Sequence, residues 1–228
     1  MKTAADIDPR AFLQINPWFA ALPEAVQAAL IEAGRRVSFA KDEWLFAEGD
    51  ALGGLWAVLS GSLRMAVSVG PSRDVLFEIA GPGAILGHPV GFEGRPRLVT
   101  TRAGARTVML AVPNAALLAI SAAQPALVRA LGELYHAHVS HILLVAAGAL
   151  CLTPRAKVAG RLLLLAAGRL DGEPLAGVTQ SDLAEMTGLS RKSANGHLQA
   201  LQAKGMIQVE YGGVRIVDEA KLRAVAER

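Results

Sequence analysis

The sequence predicts an α+β protein: an N-terminal antiparallel β-roll, then one long helix, then a C-terminal winged helix-turn-helix. Three observations lead to this prediction. Short alternating segments punctuated by glycine fill residues 36–112, a helical pattern runs unbroken over 125–152, and two helices joined at Gly188 precede a pair of short strands. Glycines at strand ends supply the positive-φ corners through which a small antiparallel sheet turns.

Composition limits the class of protein. The chain has 228 residues, of which 52% are apolar and 19% charged, as in a globular chain of one or two domains. The one cysteine, Cys151, excludes an intramolecular disulfide and a four-thiolate iron-sulfur cluster, and we expect it to be a small buried residue. The N-terminus lacks an apolar secretory core, and the longest apolar run is short of the roughly 20 residues that cross a bilayer. We expect a cytoplasmic chain without a membrane span.

The first half of the chain is predicted to be mostly strand. A short helix over Pro23–Ala33 begins at a proline and ends before Gly34. The period then changes from helical to alternating. The predicted strands are Arg36–Phe39, Trp44–Ala47, Leu55–Leu59, Ser62–Val69, Val75–Ile79, Val99–Ala103 and Thr107–Val112.

The longest helical pattern covers Pro125–Leu152 and has a heptad seam. Apolar or aromatic residues and one histidine recur at spacings of three and four: Val128, Leu131, Tyr135, His138, Ile142, Val145, Ala149 and Leu152. Such a seam predicts a homodimer, although the same face could instead lie on the chain's own β-roll. Thr153-Pro154 then starts a new helix, which predicts domains at 1–123 (β-roll), 124–152 (dimerisation helix) and 153–228.

The last domain has the pattern of a DNA-reading module. Thr179-Gln180-Ser181-Asp182 predicts a capping box, and Ser190 caps a second helix over Arg191–Lys204. Alternating residues on both sides of Tyr211-Gly212-Gly213 predict a β-hairpin, the wing.

The partner of this module is predicted to be double-stranded DNA. Residues 151–228 hold 11 Lys/Arg against 8 Asp/Glu, and the rest of the chain is balanced. A recognition helix needs long basic or amide side chains in its first turns, where its dipole faces phosphate. Hydroxyls would contact phosphate and an arginine would fork onto guanine. The candidate DNA-binding residues are Thr179, Ser181, Ser190, Arg191, Lys192 and Asn195.

The order of these segments resembles the Crp/Fnr superfamily of bacterial regulators over about residues 15–222. The similarity is carried by Leu59-Ser60-Gly61, Gly81-Pro82-Gly83 before Gly87, Arg97, Arg102-Ala103 and Gly188-Leu189-Ser190-Arg191. It implies a homodimeric transcription factor in which an effector bound between the β-roll and the seam helix reorients two DNA-reading heads. RNA polymerase is a further partner that the resemblance implies.

The nucleotide-binding pattern of that family is incomplete here. Within the cassette from Gly87 to Leu98, Arg97 matches the phosphate-binding arginine, but His88 replaces a glutamate and Leu98 replaces a hydroxyl residue. On the seam helix, Ile142 and Leu143 stand where hydroxyl residues face adenine. The lost hydrogen bonds would weaken binding by about 100- to 1,000-fold. We therefore expect an effector other than cyclic AMP, or none; the alternative is a nucleotide-responsive regulator that keeps only the phosphate arginine.

Two further alternatives come from histidines and from the reading head. His138 and His141 lie one turn apart and could ligate haem or another small effector, but we expect no cofactor and no metal, with His136 and His141 solvated. One histidine in the β segment is too few for a cupin-like metal enzyme, so no enzyme is expected. Lys192, Gly196 and His197 depart from the usual recognition helix, which leaves an interaction module without DNA binding as the rival function.

Overall fold

The computed structural model describes residues 8–51, 53–70, 73–88, 94–167, 175, 177–210 and 213–227. Residues 89–93 of the cassette, the segment with Gly172 and Pro174, and Tyr211-Gly212 of the wing lie outside the described residues. Within these bounds the α+β prediction is confirmed, because strands come first, one long helix follows, and a helix-turn-helix with a two-stranded wing ends the chain.

Three short helices open the described chain. They are α1 (Pro9–Leu13), α2 (Pro17–Ala20) and α3 (Glu24–Ala33). The first two were not predicted, although each has a local signal: Asp8 and Asn16 accept hydrogen bonds from the backbone of the first turn, and a proline follows each cap. Helices of four or five residues are too short to show periodicity, so the caps alone mark them.

In the part of the chain that the structure describes, eight strands within residues 35–112 form two four-stranded antiparallel sheets. The strands are β1 (Arg35–Phe39), β2 (Trp44–Phe46), β3 (Leu55–Ser60), β4 (Leu63–Ser68), β5 (Asp74–Ala80), β6 (Ile85–Leu86), β7 (Thr100–Ala103) and β8 (Thr107–Val112). One sheet has the order β1-β8-β3-β6 and the other β2-β7-β4-β5. Met109 of β8 shows the register of the first sheet, since it pairs with Val37 of β1 on one side and with Val58 of β3 on the other. Of these strands, the two-residue β6 was not predicted.

Gly61 makes the turn between β3 and β4 possible. Its φ is +85°, a left-handed conformation that glycine adopts without strain. A Cβ atom there would lie 2.5 Å from the carbonyl oxygen of Arg106. Both the backbone conformation and the close approach therefore require glycine at this position.

The second half of the chain is mostly helical. It contains α4 (Asn114–Ala123), α5 (Ala126–Cys151), α6 (Pro154–Ala166), α7 (Gln180–Thr187), α8 (Arg191–Ala203), β9 (Ile207–Glu210), β10 (Gly213–Ile216) and α9 (Glu219–Ala226). The predicted cap at Thr153 is confirmed: its side chain accepts from the Ala156 amide. Helices α4 and α9 were not predicted.

The contacts divide the chain into two compact units, which differ from the predicted domains in detail. The first contains residues 1–64 and 80–139, and the second contains residues 65–79 and 140–228. In the first unit, α1 to α4 and the start of α5 cover the β1-β8-β3-β6 sheet, and the largest buried side chains include Phe19, Leu30, Leu59 and Leu117. In the second, α6 to α9 and the wing share a core that also takes in Leu76 and Ile79 of β5.

Helix α5 carries several exposed apolar side chains. Its exposed apolar side chains are Val128, Tyr135, Val139, Ile142, Leu143, Leu144 and Leu150. By length and composition alone it could cross a bilayer, since an 18-residue window has a mean hydropathy of 1.4 and is 6% buried, but a single helix of this kind is weak evidence for a membrane span. Its first half packs into the first unit through buried Leu127, Leu131 and Leu134.

The sequence predictions for Leu131 and Cys151 of α5 are wrong. Leu131 is predicted to lie in the intermolecular seam, but its side chain is fully buried in the core of the first unit. The alternative, that part of this face lies on the chain's own β-roll, applies to this residue. Cys151 is predicted to be buried, but it is exposed at the last residue of α5.

Candidate nucleic-acid interface and effector cassette

The turn between α7 and α8 is built by three local devices, and all three were predicted. The Thr179 hydroxyl accepts from the Asp182 amide at 3.2 Å, and the Asp182 carboxylate accepts from the Thr179 amide at 2.9 Å. Gly188 ends α7 in the left-handed conformation, with φ +67°. The Ser190 hydroxyl then accepts from the Ser193 amide at 3.1 Å and starts α8. The helix-turn-helix geometry therefore follows from the sequence locally.

One face of α8 is buried and the opposite face is open. Ala194, Leu198 and Leu201 lie in the core of the second unit. Arg191 and Lys192 are exposed in the first turn, and Asn195 is half-buried. The exposed face continues along the helix through Gly196 and Gln199.

Gln199 is a candidate contact that the sequence analysis missed. It lies seven residues after Lys192 and is exposed on the same side of α8. Its amide could pair with adenine in a major groove, as Asn and Gln commonly do. The heptad spacing from Lys192 was the signal that would have identified it.

Arg191 is held against α7 by a side-chain contact. Its Nε and Nη2 atoms donate to the Ser181 hydroxyl at 3.0 and 2.7 Å. Both residues were predicted as DNA contacts, and the structure brings them together. The fork of this guanidinium is thereby oriented beside the exposed start of α8, where the helix amides and dipole favour an anion.

The hydroxyls of Thr179 and Ser190 have a structural role in addition to any contact with DNA. Each accepts a capping hydrogen bond from the backbone. A hydroxyl that accepts one such bond still carries a proton of its own, which it can donate to a phosphate oxygen. Capping and phosphate binding are therefore compatible at both positions.

The wing is attached to the end of α8. Strands β9 and β10 pair with Ile207 opposite Ile216 and Val209 opposite Val214. The Gln202 side chain of α8 accepts from the Val209 amide at 2.7 Å. This hydrogen bond fixes the first wing strand to the helix that carries the exposed face.

Gly196 and His197 are two positions of α8 that depart from a usual recognition helix. Gly196 has no left-handed φ, and a Cβ atom added to it would have no neighbour within 4 Å among the described residues. Neither backbone conformation nor packing therefore requires glycine there, and a side chain at position 196 would extend into open space. His197 is half-buried.

The effector cassette lies in the first unit and is only partly described. Gly87 follows β6 and is packed so closely against β3 that a Cβ would lie 2.5 Å from Leu55. His88 is buried, with 5% of its surface exposed. Leu98, by contrast, is 74% exposed, and its place in the effector pocket stays a prediction.

Arg97 is the residue on which nucleotide binding would depend, and its guanidinium is already engaged. Its carbon atom Cζ lies 3.7 Å from the centre of the Phe46 ring, and Nη2 donates to the Gly53 carbonyl at 3.0 Å. Burial lowers the pKa of Arg97, and the nearby Asp50 carboxylate opposes that shift. The group stays a cation, because arginine titrates far above neutral pH.

The remaining two predicted pocket residues are on α5. Ile142 is 51% exposed and Leu143 is 63% exposed, and both belong to the second unit. The predicted pocket combines residues of both units, and it stays a prediction.

The histidines of α5 have different surroundings. His136 is exposed, whereas His138 Nε2 lies 3.1 Å from the Ile85 carbonyl oxygen. His141 is predicted to be solvated, and that prediction is wrong: its Nε2 lies 2.6 Å from a Glu78 carboxylate oxygen. Glu78 is 63 residues away in sequence, so no local pattern could reveal this partner.

Both halves of the chain match known protein domains. Residues 36–124 match the cyclic nucleotide-binding domain, and residues 156–225 match the Crp-like helix-turn-helix domain. The nitrogen fixation regulation protein FixK of Bradyrhizobium diazoefficiens is 28% identical over 200 residues, which cover 85% of this chain and 82% of that protein. A CRP-like cAMP-activated global transcriptional regulator of Mycobacterium tuberculosis is 26% identical over 205 residues, covering 88% and 91%.

A solved structure supports the same fold. FixK2 from Bradyrhizobium japonicum superposes with a TM-score of 0.69 at 20% identity, covering 84% of this chain and 96% of that one. The fold and the two domain matches define a transcription regulator with a helix-turn-helix DNA-binding domain. The chain belongs to the Crp/Fnr family.

Proposed function

We propose that this chain is a homodimeric, sequence-specific DNA-binding regulator whose effector is not cyclic AMP. The observation that carries the DNA contact is the exposed first turn of α8, where Arg191 contacts Ser181 and Lys192 is exposed. Long cationic side chains at a helix N-terminus suit both phosphate and guanine. The half-buried Asn195 and the exposed Gln199 extend this surface along the helix.

Dimerisation is supported by the exposed apolar surface of α5. Val128, Tyr135 and Ile142 follow one another at seven-residue spacing and are 45%, 38% and 51% exposed. A continuous apolar stripe on a soluble chain indicates an interface, and the heptad spacing fits a second copy of the same helix. Two reading heads related by a dyad would then bind two half-sites about 34–36 Å apart.

The proposal on the effector rests on the first unit. A relative in Mycobacterium tuberculosis is described as cAMP-activated. Here His88 and Leu98 stand in place of the glutamate and the hydroxyl residue, and Arg97 is engaged by Phe46 and Gly53. The cyclic phosphate would have to displace those contacts without help from the other groups, which favours a different effector or none.

The same proposal assigns the chain no catalytic step and no cofactor. It is expected to act in the cytoplasm, where promoter DNA and RNA polymerase are its partners. Whether the histidines of α5 bind haem is best judged from the absorption spectrum of the purified protein.

Selection of random duplexes by the purified chain tests the DNA proposal. We expect enrichment of a pseudo-palindrome with half-site centres one helical turn apart, because the heads are related by a dyad. Gly196 offers no side chain, so one base pair of each half-site should be nearly degenerate. An absence of any enriched site would contradict the proposal and favour the interaction module without DNA.

A further inference from the structure

Strand β5 contributes to the core of the second unit. Leu76 and Ile79 are 4% and 1% exposed, and both belong to the apolar cluster of α6 to α8. Since β5 is an edge strand of its sheet, one of its sides is free to meet other elements. The helices of the DNA-reading module thus pack on this strand.

Polar contacts also join β5 to α6 and α7. The Glu185 side chain of α7 accepts from the Leu76 amide at 2.8 Å. Nη2 of Arg161, on α6, donates to the Phe77 carbonyl oxygen and, at 3.1 Å, to the Glu78 carboxylate. The same nitrogen lies 3.4 Å from the Met186 sulfur on α7.

Glu78 is the centre of this ionic cluster. Its Oε2 atom faces both Arg161 and His141, so one carboxylate oxygen joins α6 to the second half of α5. Its Oε1 atom accepts from the Ile79 amide at 2.9 Å, which fixes the carboxylate on the strand. The Glu78 side chain is 14% exposed and that of Arg161 is 4% exposed.

The cluster is an inefficient source of stability. Burial lowers the pKa of Arg161, and the Glu78 carboxylate opposes this shift. Nε and Nη1 of Arg161 are buried and make no hydrogen bond within the described part of the chain. Replacing a buried ion pair by apolar residues is often neutral or stabilising, and in some proteins a buried hydrogen-bonded pair instead selects one arrangement among several similar ones. The cluster is therefore better suited to a role in geometry than to one in stability.

We propose that Glu78 and Arg161 are positioning residues that fix the reading helices α7 and α8 in one orientation with respect to the end of α5. The inference rests on the proposed function, because in a dimer formed through α5 this orientation determines the distance and angle between two heads. A change of one base pair in half-site spacing rotates one half-site by about a tenth of a turn. A DNA-reading head held in one orientation binds such a site more weakly, whereas a head free to change its orientation loses less affinity.

The test compares half-site spacings in the full-length protein. The selected palindrome is made with its natural spacing and with one base pair added or removed, and binding of each duplex is measured. We expect wild type to prefer the natural spacing by about tenfold. In the double variant Glu78→Leu/Arg161→Met, the ratio of affinities for the natural and altered spacings should fall by at least about threefold. Its base preference inside each half-site and its resistance to urea should be unchanged.

Two further variants keep the result interpretable. Glu78→Gln retains the shape of the side chain without its charge, and it should reduce the spacing ratio. It therefore tests the proposal even if the double variant does not fold. Arg223→Met, which removes an exposed ion pair with Glu219 on α9, should leave the ratio unchanged.

The outcomes separate this inference from the proposed function. If wild type selects a palindrome and both cluster variants keep its full spacing ratio, the positioning role is wrong and the DNA proposal stands. A loss of spacing discrimination in Arg223→Met as well would also overturn the inference. If wild type selects no DNA, the proposed function fails and this inference with it.

Discussion

The two arginines on which function would depend, Arg191 in the second unit and Arg97 in the first, differ in what holds them. Arg191 is exposed and contacts one serine hydroxyl through two nitrogens. Arg97 is half-buried, stacks on an aromatic ring and donates to a backbone carbonyl. The first arrangement leaves the cation accessible, and the second engages the cation within the β-roll.

This difference shows why a matching residue type does not establish a matching function. A phosphate that approaches Arg191 needs to replace only the neutral hydroxyl of Ser181, which is a weak competitor. At Arg97 it must compete with a cation–π contact and a carbonyl of the same chain. We therefore expect DNA contact to depend strongly on the first arginine and nucleotide contact to be absent at the second.

The largest expected effect is the loss of the dimer, which would remove the paired heads altogether. Tyr135→Glu combined with Ile142→Glu places four carboxylates in a parallel seam, and burying them there is strongly unfavourable. Light scattering should report the mass of one 23.8 kDa chain, and palindrome binding should be lost. Leu118→Glu, at an exposed apolar position on α4, is the matched control and should stay dimeric. An unchanged dimer in the double variant would place the interface elsewhere.

The contrast between the units also explains what the sequence could predict. In the second unit the helix-turn-helix is encoded within a few residues: Thr179 and Asp182 cap each other, Gly188 stops α7 and Ser190 starts α8. Such signals act over three or four positions, so they can be recognised without tertiary structure. The strands of the β-roll were predicted from alternation for the same reason, apart from the two-residue β6.

Residues that depend on distant partners were predicted poorly. The burial of Leu131 depends on α1 to α4, two of which are too short to show a period. His141 meets Glu78, and Arg97 meets Gly53, across 63 and 44 residues of sequence. A heptad pattern describes a face of a helix, but it does not say which part of that face the same chain covers.

Arg191→Ala is expected to weaken palindrome binding by about 1–3 kcal/mol, because it removes a forked contact with a base edge. Binding isotherms on the selected duplex and on single-base variants should show relaxed preference at one symmetric position of each half-site. Arg223→Ala, an exposed arginine of the same unit, serves as the control. Unchanged affinity in Arg191→Ala would mean that other residues of α8, with Gln199 first among them, read the bases.

Lys192→Ala has a smaller expected effect that does not depend on sequence. If the ammonium contacts phosphate, the variant binds all duplexes more weakly, and the slope of log affinity against log salt falls by about one per head. Titrations at several salt concentrations measure that slope. Lys41→Ala, an exposed lysine of the first unit, should leave it unchanged. A changed base preference with an unchanged slope would instead identify Lys192 as a base contact.

The smallest effect on DNA binding is expected from Arg97→Ala, since its guanidinium serves the β-roll. Loss of the ring contact and of the hydrogen bond to Gly53 should lower the free energy of unfolding by about 1–2 kcal/mol, with DNA affinity unchanged. Arg95→Ala, at an exposed position two residues away, should alter neither quantity. Calorimetry with cyclic AMP should detect no binding to wild type at physiological concentration. A micromolar dissociation constant that disappears in Arg97→Ala would show that the cyclic phosphate displaces Gly53 and Phe46, and the two arginines would then both be ligand contacts.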